Sequence, residues 1–242
     1  MLLAIPVYNE ASSLREVFSE ILDHLPEQIQ AIVAIDDGST DGSAEILDEL
    51  SKEQSIIFVR HHRQNHGYGC AMIESMKIAQ KHGYSHLITM DCDRQHRPED
   101  LIRFLNVDPD IDVVSGSRYL PESRRQGHAP EDRVEINSRI TARLNRRYGW
   151  SLTDSFCGFK RYKMERIDPA LFSETGYAFP MEFWPYCQGK GLKIQELAVS
   201  RIYTTDSRSF GEDLDRRRRR YRYYLNTFRK AEKKFQVRGS RA

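Results

Sequence analysis

The chain has no apolar run near the ~20 residues a membrane-spanning helix requires, and its hydrophobic content of 39% is that of a soluble protein. It has no paired cysteines either. Cys70, Cys92, Cys157 and Cys187 stand alone, without a CxxC spacing. That argues against a zinc ribbon or disulfide framework and predicts free thiols in a reducing cytoplasm. His61, His62, His66, His96 and His128 lack metal-ligand spacing, and His96 is expected to be an exposed turn residue. The opening Met1-Leu-Leu-Ala-Ile-Pro6 is too short, and carries no basic leader, to read as a signal peptide. Neither a Walker loop nor the dinucleotide-binding glycine fingerprint occurs. No internal repeat is visible, and the only low-complexity stretch is Arg216–Arg220.

What is present is enough chain, 242 residues and 28.3 kDa, to bury a full core. Charge is unevenly spread. From Arg201 onward there are 14 basic and 5 acidic residues, a net +9, against −7 for the remainder. The acidic body does not read as a nucleic-acid binder, while the tail has its own electrostatic character, for which RNA binding by the arginine run is a weaker third reading.

Short apolar runs at Leu2–Val7, Ala31–Ile35, Ile56–Val59, Leu87–Met90 and Val113–Val114 predict strands. Amphipathic stretches separate them. Ala11, Leu14, Val17, Phe18, Ile21 and Leu22 form one helical face, and Ala71, Met72, Ser75, Met76 and Ala79 another. Pro98-Glu99-Asp100 reads as a helix start. Such alternation predicts an α/β fold with a largely parallel sheet between helices, and ligands beyond the carboxyl ends of the strands. Further on, the spacing predicts a polar loop over Tyr119–Asp132 and a helix over Arg133–Arg147. A β-like run at Ser155–Arg161, a helix over Pro180–Gln188, a strand over Lys193–Val199 and a tail helix over Glu212–Phe235 follow.

The predicted strand ends carry the chemistry. Met90-Asp91-Cys92-Asp93-Arg94-Gln95 places two carboxylates two residues apart, followed by an amide. Residues i and i+2 leaving a strand share one side of the backbone, so Asp91 and Asp93 can converge on a hard divalent cation that keeps positions open for phosphate oxygens. The first strand ends in Ile5-Pro6-Val7-Tyr8-Asn9-Glu10 and the second in Ile35-Asp36-Asp37-Gly38-Ser39-Thr40-Asp41-Gly42-Ser43. Asp41 is expected to cap the following helix, and Asp37 has an Asx turn before Gly38 as its structural alternative. Asn65-His66-Gly67-Tyr68-Gly69 opens a helix whose N–H groups could face a polar ligand.

With IPVYNE, IDDGSTDGS, NHGYG, MDCDRQH and SGSRY in this order, the chain resembles family-2 glycosyltransferases of the GT-A fold, especially the dolichol- and polyprenol-phosphate sugar transferases. Weaker matches at Arg133-x-x-x-Asn137 and DSFCGFKRY extend the resemblance over about the first 200 residues. It implies a cytoplasmic enzyme with a catalytic domain at 1–205, followed by a basic tail at 206–242. The activity implied is inverting transfer of a hexose from a UDP- or GDP-linked donor. By the same resemblance Pro6, Tyr8, Glu10, Asp37 and Asp91 hold the nucleotide sugar, and Asp91, Asp93 and Gln95 hold Mg²⁺ or Mn²⁺. Arg118, Arg133 and Arg208 match arginines that grip a polyprenyl phosphate, with Asp93 and Arg118 also in the chemistry. A hydroxyl acceptor would instead require a carboxylate base, for which Glu182 and Asp154 are the candidates.

Three departures from that branch stand out: Cys92 between the two aspartates, Arg94 and Arg97 adding charge beside the diphosphate, and no transmembrane segment after the catalytic domain. Saccharide or other hydroxyl transfer is the alternative within the class. A sugar-1-phosphate nucleotidylyltransferase shares the sheet and the metal aspartates, but should carry a Gly-rich loop where this chain has Pro6-Val7-Tyr8-Asn9. A silent adaptor protein is a third reading. In the tail, Arg216–Arg220 and Arg222 lie among Tyr221, Tyr223, Tyr224 and Phe228, a basic amphipathic stretch suited to an anionic membrane surface at the inner leaflet. The competing expectation is a helix that packs Leu214, Leu225 and Phe228 on the domain and leaves its arginines solvated.

Overall fold

Strand and helix alternate along the chain as β1 (Leu2–Val7), α1 (Leu14–Asp23), β2 (Ala31–Asp36), α2 (Ser43–Glu53), β3 (Ile57–His61), α3 (Tyr68–Lys81), β4 (His86–Thr89), α4 (Leu101–Leu105) and β5 (Val113–Ser117). Then follow β6 (Arg125–Gln126), α5 (Glu131–Tyr148), β7 (Lys160–Lys163), α6 (Phe179–Gly189), β8 (Ile194–Ala198), β9 (Arg201–Ile202), α7 (Glu212–Asp215) and α8 (Arg217–Lys234). This computed structural model describes residues 1–202 and 212–237.

Seven strands form one sheet in the order β3-β2-β1-β4-β7-β5-β8. Pairing is parallel except for β7, which runs against both β4 and β5. Period-2 alternation divides β1 between two cores. Leu2 and Ala4 join the layer of α3, α5, α6 and α8 through Met72, Ile136, Phe183 and Phe228. Leu3, Ile5 and Val7 join the layer of α1, α2 and α4 through Phe18, Leu47 and Phe104. Apolar residues on both faces are what a buried parallel strand needs. The α/β sheet flanked by helices is therefore as the sequence predicts.

Three elements differ from the prediction. In Ser155–Arg161, only Lys160 onward joins the sheet. The amide of Ser155 donates to Asn137 Oδ1 (3.2 Å) and that of Phe156 to Asp154 Oδ1 (3.1 Å), so side chains take up backbone donors that a ladder would use. The Tyr119–Asp132 loop contains β6, which pairs with β9. Gly42, not Asp41, is the N-cap of α2; Asp41 instead accepts from the amides of Ser43 and Ala11, both at 3.0 Å.

The described part of the tail is built into the domain. Tyr224, Phe228 and Ala231 of α8 are buried in the same core as α6. Of the three residues expected to pack on the domain, Phe228 is buried while Leu214 and Leu225 are only half-buried. Arg220 is 3% exposed and inside.

Candidate active site

The carboxyl ends of β1, β2 and β4 open into a cleft of about 730 Å³ lined by Pro6, Tyr8, Glu10, Asp37, Asp91, Asp93, Gln95, Arg118 and Arg133. Every expected site residue lies on it except Asp154 and Glu182, which do not line it, and Arg208, which falls outside the described residues.

Asp91 leaves β4 with its side chain about one-third exposed. Burial alone would raise its pKa, but hydrogen bonding and charge from His96, then Arg118 and Lys160, outweigh it and hold the carboxyl below the ordinary aspartate value. His96 lies beneath it, Nε2 3.7 Å from Oδ2, and packs on the Phe159 ring. The exposed turn histidine expected from sequence is in fact buried. Gly158 closes the other side, where a Cβ would stand 2.6 Å from the Asp91 carboxyl carbon. Asp93 Oδ1 accepts from the Gln95 amide at 3.1 Å. Cys92 turns inward and its thiol donates to the Pro6 carbonyl (3.3 Å), so the residue between the aspartates anchors the loop to β1.

Two carboxylates and an amide side chain on one cleft wall fit a divalent cation. Three such groups do not fill the coordination sphere of a hard divalent cation, so such an ion would keep positions open for phosphate oxygens. Arg94 and Arg97 do not enter the site. Arg94 pairs with Glu16 on α1, and Arg97 lies 4.0 Å from Glu99. Their charge serves the rim rather than a diphosphate.

Asp37 is 4% exposed, and its carboxylate accepts from the amides of His66 (2.8 Å) and Gly67 (2.7 Å) and from His62 Nδ1 (2.7 Å). Two of the N–H groups that could have faced a ligand thus meet Asp37, and they fold the Asn65–Gly69 turn over it. Gly67 sits at φ 98°, a conformation costly for other residues, with the Thr175 carbonyl where a Cβ would go.

Asp154 is fully buried. Its carboxylate takes a forked pair from Arg118, Nε to Oδ2 at 2.7 Å and an η-nitrogen to Oδ1 at 3.1 Å, plus the Asn137 amide at 2.9 Å. Burial would raise its pKa, but the Arg118 charge and hydrogen bonds, with Lys160 and the Phe156 amide, bring it down to about 2. So weak a base cannot activate a hydroxyl. Its evident work is to aim Arg118. Glu182 is likewise engaged. Burial would raise its pKa, but Lys234 (2.8 Å), the amides of Ser173 and Glu174 (both 2.8 Å) and the Ser173 hydroxyl (2.9 Å) lower it and take up its oxygens. It fastens α6 to α8 and the 173–174 turn.

The wall of the cleft that carries Arg118 and Arg133 holds a further residue from the arginine run. Arg220 lines the cleft with Arg118 and Arg133, donating to the Leu214 carbonyl (3.0 Å) and pairing with Asp132. Its signal was present: Arg220, Tyr224, Phe228 and Ala231 share one helical face, so the buried stripe runs through an arginine. Beside these cations Ile136, Phe156, Tyr177, Pro180 and Tyr224 form an apolar, aromatic wall.

The family model for glycosyl transferase family 2 matches residues 3–168. The chain belongs to that family. It is a nucleotide-sugar-dependent hexosyltransferase of GT-A fold, and the nucleotidylyltransferase and adaptor alternatives fall away. Similar relatives include the polyprenol monophosphomannose synthase of Mycolicibacterium smegmatis, 29% identical over 82% of this chain and 76% of its own length. The undecaprenyl-phosphate mannosyltransferase of Micrococcus luteus is 29% identical over 83% and 82%. Among solved structures, glucosyl-3-phosphoglycerate synthase from Mycobacterium tuberculosis, crystallised with Mn²⁺, UDP and glucosyl-3-phosphoglycerate, superposes with a TM-score of 0.68. It is 16% identical, covering 99% of this chain and 81% of that one, a likeness of fold. No helix among the described residues is long and apolar enough to cross a membrane.

Proposed function

We propose that this glycosyltransferase moves a hexose, with inversion, from a UDP- or GDP-linked donor to the phosphate of a polyprenyl phosphate, using Mg²⁺ or Mn²⁺ at Asp91, Asp93 and Gln95. One observation carries the acceptor: Arg118, Arg133 and Arg220 line the same cleft as Ile136, Phe156, Tyr177, Pro180 and Tyr224. Adjacent cationic and apolar surfaces match a phosphate at the head of an isoprenoid chain. Two relatives with polyprenol- and undecaprenyl-phosphate in their names support the same acceptor class.

The chemistry asks little of a base. A phosphate monoester is ionised near neutral pH, and its oxygen attacks the anomeric carbon as the bond to the nucleoside diphosphate breaks. Arg118, held by Asp154, orients that oxygen with Arg133 and Arg220. Asp37, Pro6, Tyr8 and Glu10 hold the nucleotide. A bound cation would stabilise charge on the departing diphosphate. With Asp154 and Glu182 both engaged elsewhere, neither base candidate for a hydroxyl acceptor faces the cleft.

Arg218, Arg222, Arg229 and Lys233 lie exposed along one side of α8 with helical spacing. This ridge supports a peripheral seat on the anionic inner face of a membrane, where the lipid acceptor would be met. The test is transfer of labelled hexose from UDP- and GDP-sugars to polyprenyl phosphate or to soluble saccharides, with Mg²⁺ or Mn²⁺. Product that carries the label on lipid phosphate is expected. Labelling of saccharide alone would overturn the acceptor assignment.

A further inference from the structure

His62 lies between two carboxylates. Nδ1 is 2.7 Å from Asp37 Oδ1, and Nε2 hydrogen-bonds Glu74 Oε2. Its side chain is 8% exposed. Each carboxylate has further donors of its own. Asp37 accepts the amides of His66 and Gly67. Glu74 accepts Arg60 Nε at 2.7 Å, and although burial would raise its pKa, His62 and Arg60 pull it below the ordinary value. A neutral imidazole has one N–H, so one ring nitrogen would present a lone pair to a carboxylate oxygen. Only the imidazolium satisfies both contacts.

The surroundings favour that form. Burial lowers the pKa of His62, but hydrogen bonds and charge from Glu74 and Asp37 outweigh it, and the net direction is upward. The His66 ring lies at 5.3 Å centroid distance; Arg60 on β3 reaches the same Glu74, and Cys70 on α3 feels the charges of Asp37, Glu74 and Lys77. Cys70 is itself pushed up by burial and by the charges of Asp37 and Glu74, so it is a neutral neighbour.

We infer that protonated His62 is a positioning residue for the donor, fixing the Asp37 carboxylate toward the nucleotide so that donor affinity falls as His62 loses its proton. This rests on the reading of Asp37 as a nucleotide contact. With His62 neutral, one of its two contacts turns repulsive. If the lone pair faces Asp37, that carboxylate is left to the His66 and Gly67 amides; if it faces Glu74, the repulsion there loosens the ring that holds Asp37. No bond to the reacting atoms is involved, so turnover at saturation should be untouched.

The experiment titrates the full chain from about pH 6 to 8.5, below the range in which uracil or guanine itself deprotonates. It measures calorimetric affinity for UDP and GDP without metal, together with the ring-nitrogen NMR signals of His62. The doubly protonated pattern should persist above the pH at which an ordinary histidine, near 6.5, has lost its proton. Nucleotide affinity should fall several-fold as that pattern disappears. Glu74→Gln should move both changes to lower pH, and His62→Gln should abolish the pH dependence while leaving kcat near wild type. A neutral His62 throughout, or an affinity step that survives in His62→Gln, would overturn the inference. Asp37→Asn separates the two failures. If it leaves nucleotide affinity unchanged, the nucleotide assignment of Asp37 is wrong and the donor role of His62 goes with it, whatever the NMR shows.

Discussion

Gly158 stands where any Cβ would run into the carboxylate of Asp91, so the two fit only because residue 158 is glycine. The antiparallel strand β7 brings this contact about, because the segment leading into it passes back under the rim where β4 delivers Asp91. Gly158→Ala should therefore displace Asp91 without touching any ligand itself. A displacement of about 1 Å at a reacting centre costs on the order of 100-fold in rate. We expect that loss in metal-dependent turnover, with the melting temperature lowered only slightly. Wild-type kinetics in the variant would remove Asp91 from the site.

Asp93→Ala is expected to cost at least ~100-fold in turnover, the scale of losing one electrostatic stabiliser of a transition state. Asp93 lines the open cleft, so no core cavity is created and the unfolding curve should match wild type. Retained, still metal-dependent activity would contradict the assignment.

Asp154 should make the protein acid-sensitive. Its folded pKa of about 2 lies below the ordinary 3.8, so its stabilising contribution is present above pH ~4 and is lost as pH falls toward 2. A depression of that size corresponds to about 2 kcal/mol. Denaturant unfolding of Asp154→Asn between pH 4 and 2 should show a shallower loss than wild type. The same variant should raise the KM for the acceptor, since Arg118 loses its fork.

Glu182→Gln should cost about 1–3 kcal/mol, the usual price of a broken buried charged hydrogen-bond set, because Lys234 and the 173–174 amides lose an ionised acceptor. Turnover of the folded variant should stay near wild type. A loss of 100-fold or more in kcat at undiminished stability would return Glu182 to the role of base.

Arg133→Ala and Arg220→Lys should each raise the acceptor KM while sparing slow hydrolysis of the donor. The charge-assisted contacts they would make are to the acceptor phosphate, and lysine cannot reproduce a planar fork. Product analysis with and without polyprenyl phosphate separates the two reactions. Equal loss of hydrolysis and transfer would move these arginines to the donor side.

The parallel strands and their helices were legible because apolar runs and 3.6-residue faces repeat locally; β1 and α3 needed nothing else. The cleft was legible where its residues follow strand ends, as Asp37 and Asp91 do. What escaped depends on distant partners. Asp154 and Glu182 look like free carboxylates in a line of letters, and only folding sets Arg118 or Lys234 against them. The ring of His62 gave no sign of Glu74, twelve residues on, until α3 turned that carboxylate back over β3. Arg220 was hidden by its neighbours: four consecutive exposed arginines precede it, and charge composition drowned the helical period.

That α8 supplies Arg220 and Tyr224 to the cleft has a consequence for synthesis. A ribosome will have made Pro6, Asp37, Asp91 and Arg133 long before it reaches residue 224. Until α8 emerges and docks on α6, Phe156 and Tyr148 lack the cover that Tyr224 and Phe228 give them. The nascent chain thus carries nearly all of the proposed donor half and an open, sticky piece of the proposed acceptor half, the kind of intermediate that aggregates or recruits chaperones. Docking of one helix ends that exposure and completes the acceptor wall in a single step, so a chain too short to include α8 is without both.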